Sequence, residues 1–392
     1  MDKDSGARNS SGFNTLSYTP NGAAYSNWVE IDLQAIENNI RRLRAQARTQ
    51  VMAVLKANGY GHGAVPVAQA ALRAGAAWCG VARLEEALEL RRAGLDCPIL
   101  ILGYTPTGRY AEAIAAGISL AAWDDSQVQA AVQAAGRVGG AARLHLKVDT
   151  GMSRLGTQPE GALHVARAMA AAPRVIFEGL FTHFARADEP ASASAEQQLG
   201  QFRQVLAGIE AAGLRPPLVH AANSAAIFCR PEASFDLVRA GIAMYGLHPS
   251  PDCRLPPGFR PALAWKAVLS QVKTLPPGRG VSYGHEYVTR AVERIGTLPV
   301  GYADGYRRQT SNQVLIHGAR APVVGRVCMD QVLVQLDGLP EAREGDEAVL
   351  IGRQGEARLP AEELGARWGT VNYEVVCGIS PRVPRVYLGE EG

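Results

Sequence analysis

At 392 residues, with 47% hydrophobic and 20% charged side chains, the chain has the composition of an ordinary globular protein and length enough for two domains. A net charge of +3 is too small for a nucleic-acid surface, and no apolar run nears the roughly 20 residues of a membrane span. The six cysteines are scattered, with no C-x-x-C, which argues for reduced thiols in a cytoplasmic protein and against a metal site.

Residues 1–26 are polar, rich in Ser, Asn and Gly, and lack an apolar h-region. They are expected to form a disordered tail and not a signal peptide. A short strand is predicted at 28–32 and an amphipathic helix at 33–47. A regular alternation follows. Strand-like runs fall at 51–55, 77–81, 98–102, 118–122, 143–148, 175–182, 217–221 and 236–239. Ala-rich helical stretches lie between them, for instance at 83–93, 107–116, 125–135, 159–172 and 195–212. The strands read as continuous apolar runs, as parallel strands buried on both faces do. Eight such units close most simply into a (β/α)8 TIM-like barrel over 27–250, with a doubly wound sheet as the alternative. Pro249–Pro261 reads as a linker. Beyond it, short alternating runs separated by Gly, Pro and Asp predict a smaller, mostly β domain over 251–392.

The first strand of the alternation delivers Lys56 at its end, ahead of the glycine-broken turn Asn58-Gly-Tyr-Gly-His-Gly63. Lysine is scarce: five of the 40 Lys plus Arg, at 3, 56, 147, 266 and 273. A desolvated amine can lose its proton and attack a carbonyl, which a guanidinium cannot. Three readings compete. Gly59-x-Gly61-x-x-Ala64, with Glu85 further on, fits a dinucleotide fingerprint. Lys56 also fits a Schiff-base lysine for pyridoxal phosphate. The plain reading is a lysine that snorkels out of a strand end.

In a barrel, chemistry collects where strands end at the C-terminal face. The fifth strand carries Lys147 and Asp149 and leads to Arg154. The sixth ends at His183. The seventh ends near His220, before Asn223-Ser224, and the eighth carries Arg239 ahead of Gly241-Ile242. Each has a plain alternative: an interior Lys147–Asp149 ion pair, a core histidine, a helix N-cap at Ser224, a turn at Asn223, a barrel carboxylate for Arg239. Polar groups at one end of five strands are more than folding asks for. Ser224 and the short helix opening at Gly241-Ile242 favour a phosphate, at the place where barrel phosphate sites recur. A phosphate there, next to a reactive lysine on the first strand, suits pyridoxal phosphate better than a nicotinamide.

From Trp28 to Tyr387 the chain then resembles a known family. The motifs are Val54-Leu-Lys-Ala-Asn-Gly-Tyr-Gly-His62, Lys147-Val-Asp-Thr-Gly-Met-Ser-Arg-Leu-Gly156, Thr182-His-Phe-Ala185, Asn223-Ser-Ala225 and Val238-Arg-Ala-Gly-Ile-Ala-Met-Tyr-Gly246. Val281-Ser-Tyr-Gly284, Gly301-Tyr-Ala-Asp-Gly305, Gly325-Arg-Val-Cys-Met-Asp330 and Asn372-Tyr-Glu374 follow in order. Together they resemble the pyridoxal-phosphate-dependent alanine racemases, a barrel family of fold type III.

The resemblance implies a role for each residue. Lys56 would hold pyridoxal 5′-phosphate and act as one base, and Tyr283 of the partner subunit as the other. Tyr60, Ser224, Gly241, Ile242 and Tyr373 would bind the phosphate, beside Asn223. Arg239 would face the pyridine nitrogen, and His183 would link Tyr283 to Arg239. Arg154 would touch the cofactor's phenolic oxygen and seat the substrate carboxylate with Met329 of the partner subunit. Lys147 would be carbamylated, and Tyr302 and Asp330 would line the entrance. It implies a homodimer with shared sites, alanine as substrate with serine a poor second, and a cytoplasmic supply of D-alanine for peptidoglycan. An arginine at the ring nitrogen keeps that nitrogen unprotonated, which weakens the electron sink and favours racemisation over transamination. The alternatives are a racemase of broader specificity and a related barrel decarboxylase, which would want an acid where Arg239 stands. A one-domain cofactor carrier would end near residue 250, and a nicotinamide dehydrogenase is the outsider.

Overall fold

The computed structural model describes residues 25–389. Most of the polar tail expected over 1–26 therefore lies outside the described residues. The predicted alternation is present. Eight parallel strands form one sheet: β2 (Gln50–Val54), β3 (Trp78–Val81), β4 (Ile99–Ile101), β5 (Ile118–Ala122), β6 (Ala142–Lys147), β7 (Val175–Phe181), β8 (Leu218–His220) and β9 (Leu237–Ala240). The sheet runs β8-β7-β6-β5-β4-β3-β2-β9, with Met52 paired to Arg239 where first and last strands meet. Backbone bonds from Asp236 N to Val219 O (3.0 Å) and from Arg239 N to Ala222 O (2.9 Å) close the gap between β8 and β9. All five residues of β5 and all four of β9 are buried, as strands covered on both faces must be. Helices lie between the strands. That predicted at 107–116 begins as a tight 3₁₀ turn, Thr107–Arg109, after Pro106, and becomes α-helical at Tyr110.

One element departs from the expected division. Strand β1 (Asn27–Asp32) precedes the barrel helix Leu33–Ala47 but does not join the barrel. It pairs antiparallel with β10 (Leu263–Val268) and parallel with the last strand, Arg385–Leu388. Lys266 on β10 fixes the register through an ion pair to Glu30 at 3.0 Å. Residues Asn27–Asp32 thus belong to the ten-stranded sheet of the second domain. Asp32 leaves that sheet as the N-cap of the barrel helix, accepting from Ala35 N at 2.8 Å. The second domain's core holds Trp265, Tyr306 and Trp368 in edge-on contacts, with ring centroids 5.8 and 5.9 Å apart. Its helix Asn372–Cys377 lies against the loop that carries Lys56 and caps one side of the barrel mouth.

Candidate active site

At the C-terminal mouth of the barrel lies a cavity of about 760 Å³. Lys56 enters it through an unusual turn. Ala57, Asn58, Gly59 and Tyr60 have φ of 53°, 53°, 60° and 52°, one turn of left-handed backbone with a single glycine in it. Left-handed L-residues cost roughly 1–2 kcal/mol each, so the surroundings must hold them. Glu86 accepts from Ala57 N at 2.7 Å, and Asn58 Oδ1 accepts from Ala64 N at 2.9 Å. Arg385 donates to Gly61 O at 3.1 Å. Tyr245 Oη donates to Val54 O at 3.0 Å and pins the strand end. The dinucleotide reading fails here. A Cβ on Gly61 would strike the Val376 carbonyl, so the glycine loop packs under the second domain and offers no berth for a pyrophosphate.

The opposite wall is a cradle. Ser224 Oγ accepts from Gly241 N at 2.9 Å and from Ala243 N at 3.2 Å. Ser224 is not the N-cap: Asn223 caps the helix Ser224–Cys229 by accepting from Ala226 N at 3.0 Å, which frees the serine hydroxyl to face the β9 loop. A Cβ added to Gly241 would sit 2.8 Å from the Tyr60 hydroxyl and 3.6 Å from Ser224 Oγ, so glycine keeps this concavity open. Tyr373 comes from the second domain, its ring 6.2 Å from that of Tyr60. Burial pushes both phenols up, so both remain protonated donors.

The floor is cationic. Arg239 is 3% exposed and carries no carboxylate partner among its hydrogen bonds. Its Nη groups donate to the carbonyls of Thr182 (2.8 Å), His220 (3.2 Å) and Ala221 (2.8 Å), to His220 Nδ1 (3.0 Å) and to His183 Nδ1 (3.1 Å). Burial lowers it to about 9, which still leaves it charged at neutral pH. Burial, then Arg239, hold His183 well below its ordinary value, so the ring is neutral. Arginine only donates, so His183 Nδ1 accepts and its proton is on Nε2. Burial, with Arg154 next, lowers the Lys56 amine. Burial, then Arg239, bring Lys147 down to about 7. The plain alternative of an interior Lys147–Asp149 ion pair does not hold: Asp149 Oδ1 accepts from the amides of Gly151, Met152 and Ser153, each at 3.0 Å, shaping the turn toward Arg154. Lys147 Nζ instead lies over the Phe181 ring. Arg154 and Ile242 also line the cavity, as do the acidic Asp188 and Glu374.

A cavity walled by Lys147, Arg154 and Arg239, with a glycine-floored cradle of hydroxyls and amides and the Lys56 amine, lowered by burial, opposite, suits a phosphorylated carbonyl compound. Pyridoxal phosphate fits that description.

Tyr283, Met329, Tyr302 and Asp330 do not line this cavity. Tyr283 is 69% exposed and Met329 53%. They form one outward patch: Ser282 Oγ is 3.4 Å from Cys328 Sγ, Tyr302 N donates to Cys328 O (3.0 Å), and Arg382 ties Asp304 (2.7 Å) to Asp330 (2.6 Å). Sequence reasoning gave no role to His145, Glu178 or His220, which are buried together beneath Arg239. Their signal was polar residues at interior positions of neighbouring strands.

Two family descriptions match the chain: "Alanine racemase, N-terminal domain" over residues 31–249 and "Alanine racemase, C-terminal domain" over 262–387. Among curated relatives, an alanine racemase from Symbiobacterium thermophilum is 51% identical over 367 residues, 93% of this chain and 97% of that protein. Among solved structures, the alanine racemase from D-cycloserine-producing Streptomyces lavendulae superposes with a TM-score of 0.89 at 45% identity, covering 94% of this chain and 98% of that one. The alanine racemase from Bacillus anthracis, solved with bound L-Ala-P, gives 0.88 at 39%, covering 94% and 96%.

Proposed function

The chain belongs to the alanine racemase family and is an isomerase of that type; on that premise we propose that it interconverts L- and D-alanine with pyridoxal 5′-phosphate held by Lys56, the two bases being Lys56 and Tyr283 of the partner subunit. The observation that carries this reading is the pairing, across one cavity, of the Lys56 amine with the Gly241–Ser224–Tyr60 cradle, above a buried Arg239. Bound there, pyridoxal phosphate supplies an electron-withdrawing ring that disperses the charge left when the α-proton of alanine departs.

This chain's residues do the rest. Ser224 Oγ, the Tyr60 and Tyr373 hydroxyls and the backbone at Gly241 and Ile242 receive the phosphate, and the helix cap at Asn223 keeps Ser224 in place. Arg239 faces the ring nitrogen and cannot give up its proton there. Arg154 seats the phenolic oxygen and the substrate carboxylate. Lys56, its amine eased toward neutrality by burial and Arg154, moves a proton on one face. On the other face the partner's Tyr283 does so, steadied by the Nε2–H that His183 turns outward. The exposed patch of Tyr283, Tyr302 and Met329 supports a second chain placing these residues over this mouth. Lys147, part-neutral near pH 7, suits capture of carbon dioxide as a carbamate facing Arg154.

In this reading the enzyme is a cytoplasmic homodimer that supplies D-alanine for peptidoglycan. An absorbance spectrum tests it. The purified protein should show a visible yellow band that borohydride removes, and it should convert L-alanine to D-alanine. A colourless protein that gains no band with added pyridoxal phosphate would end the reading.

A further inference from the structure

Four neighbouring strands each turn one polar side chain into the barrel interior, and the four make a single line from mouth to floor. Arg239 on β9 donates to His220 Nδ1 on β8 at 3.0 Å. His220 Nε2 lies 3.0 Å from His145 Nδ1 on β6. His145 Nε2 lies 3.2 Å from Glu178 Oε2 on β7. At the floor Ser119 donates to the same oxygen at 2.5 Å, and Arg143 meets Oε1 at 3.0 Å. Both imidazoles are fully buried and Glu178 is 8% exposed. Room for the line is built in: a Cβ on Gly179, beside Glu178, would run into the His145 ring.

The line has one direction. A guanidinium has no acceptor and an ionised carboxylate no donor. His220 Nδ1 must therefore accept from Arg239, which leaves the His220 proton on Nε2. That proton points at His145 Nδ1, which must accept, and the His145 proton on Nε2 points at Glu178. Burial and the nearby arginine hold both rings neutral, in keeping with this assignment. Apolar side chains would fill a barrel interior at less cost than a buried acid and two imidazoles. Arg239, whose Nη groups all go to protein acceptors, keeps Nε–H for a ligand.

We propose that Glu178 is a positioning residue for Arg239: acting through His145 and His220, it fixes both ring tautomers so that His220 always offers Arg239 a lone pair, and so holds the guanidinium in one plane at the base of the mouth. Without the acid, His145 loses the acceptor that orients it. His220 can then turn an N–H toward a cation that only donates, and the guanidinium must move. The inference rests on the cofactor reading only for what Arg239 faces.

Nitrogen-15 spectra of the histidine-labelled full chain test it, cofactor-free and loaded, with His145 and His220 assigned through single glutamine variants. Both rings should carry hydrogen on Nε2 and none on Nδ1. Glu178→Gln keeps an acceptor and should preserve this pattern, with kcat within about twofold of wild type. Glu178→Met should scramble the His220 pattern and lower kcat about tenfold at unchanged KM, short of the ~100-fold cost of a 1 Å misplacement. Arg143→Met, at a half-exposed floor position, leaves the core intact. It should move the His145 signal and lower kcat less, and serves if Glu178→Met fails to fold. Hydrogen on Nδ1 of either ring in the wild type overturns the proposal. So does a folded Glu178→Met, or failing that Arg143→Met, with rings and kcat unchanged. The cofactor-free spectra stand whether or not the protein is yellow, so failure of the cofactor reading is recognisable separately.

Discussion

Lys147 and Arg239 share one aromatic ring: the lysine Nζ lies 4.7 Å from the centroid of Phe181 and the Arg239 guanidinium 5.6 Å from it. Two buried cations so placed repel each other, and the one able to lose its proton is the lysine. Burial first, and this repulsion second, bring it to about 7 from an ordinary 10.5.

The consequence for stability has a definite sign. Between about pH 7 and 10.5 the unfolded chain binds a proton at Lys147 that the folded chain does not, so stability rises with pH across that window, by at most about 1.4 kcal/mol per unit. Below pH 7 both states are protonated and the burial cost is constant. Urea denaturation in carbonate-free buffer should show the rise in wild type and lose this component in Lys147→Met. With bicarbonate present, crystallographic density at Lys147 should extend into a carbamate. An ordinary amine in such crystals would remove the carbamate from the account.

Gly241→Ala should weaken cofactor binding tenfold or more, on the order of 1.4 kcal/mol or above, because its methyl would lie 2.8 Å from the Tyr60 hydroxyl inside the cradle. Titration of the cofactor-free protein with pyridoxal phosphate, followed by absorbance, measures this. An unaltered dissociation constant would mean the phosphate sits elsewhere.

Arg239→Glu should cost about 3–5 kcal/mol of stability, since a carboxylate would replace a donor facing three carbonyls and two imidazole lone pairs. Where the variant folds, an acid at the ring nitrogen strengthens the electron sink. Absorbance at longer wavelength, slower racemisation and relatively more transamination are expected. A spectrum and product ratio like those of wild type would reduce Arg239 to a structural residue.

Lys56→Ala and Tyr283→Ala should each be nearly inactive as homodimers, and Lys56→Ala should also lose the yellow band. Mixed and allowed to exchange, they form heterodimers in which one site collects both changes and the other neither. Activity should return to about a quarter of wild type at equal mixing. Exchange confirmed by native mass spectrometry without recovered activity would place both bases of a site on one chain.

The strand ends were legible because a parallel barrel strand announces itself as an apolar run, and a polar residue closing it has few structural reasons to be there. Lys56, His183 and Arg239 were found that way. Strand β1 was misplaced because Trp28-Val-Glu-Ile reads the same whether its partners lie in the barrel or beyond residue 262; pairing is a tertiary choice. The left-handed turn at 57–60 was hidden behind the glycines around it, since Ala57, Asn58 and Tyr60 adopt it only under outside restraint. His145, Glu178 and His220 sit mid-strand or alternate with apolar neighbours, and nothing local says that they meet.

The position of β1 also sets an order of events on the ribosome. This strand is made roughly 350 residues ahead of one of its two neighbours, Arg385–Leu388. At roughly 5–20 residues per second, about 20 to 70 s separate them. For that interval a buried-type strand holding Trp28, Val29 and Ile31 lacks an edge partner while the barrel assembles behind it. The nascent chain therefore carries a sticky edge at β1 until Arg385–Leu388 has been made. A chain released at the linker keeps that edge for good, and should aggregate where the full-length protein stays dispersed.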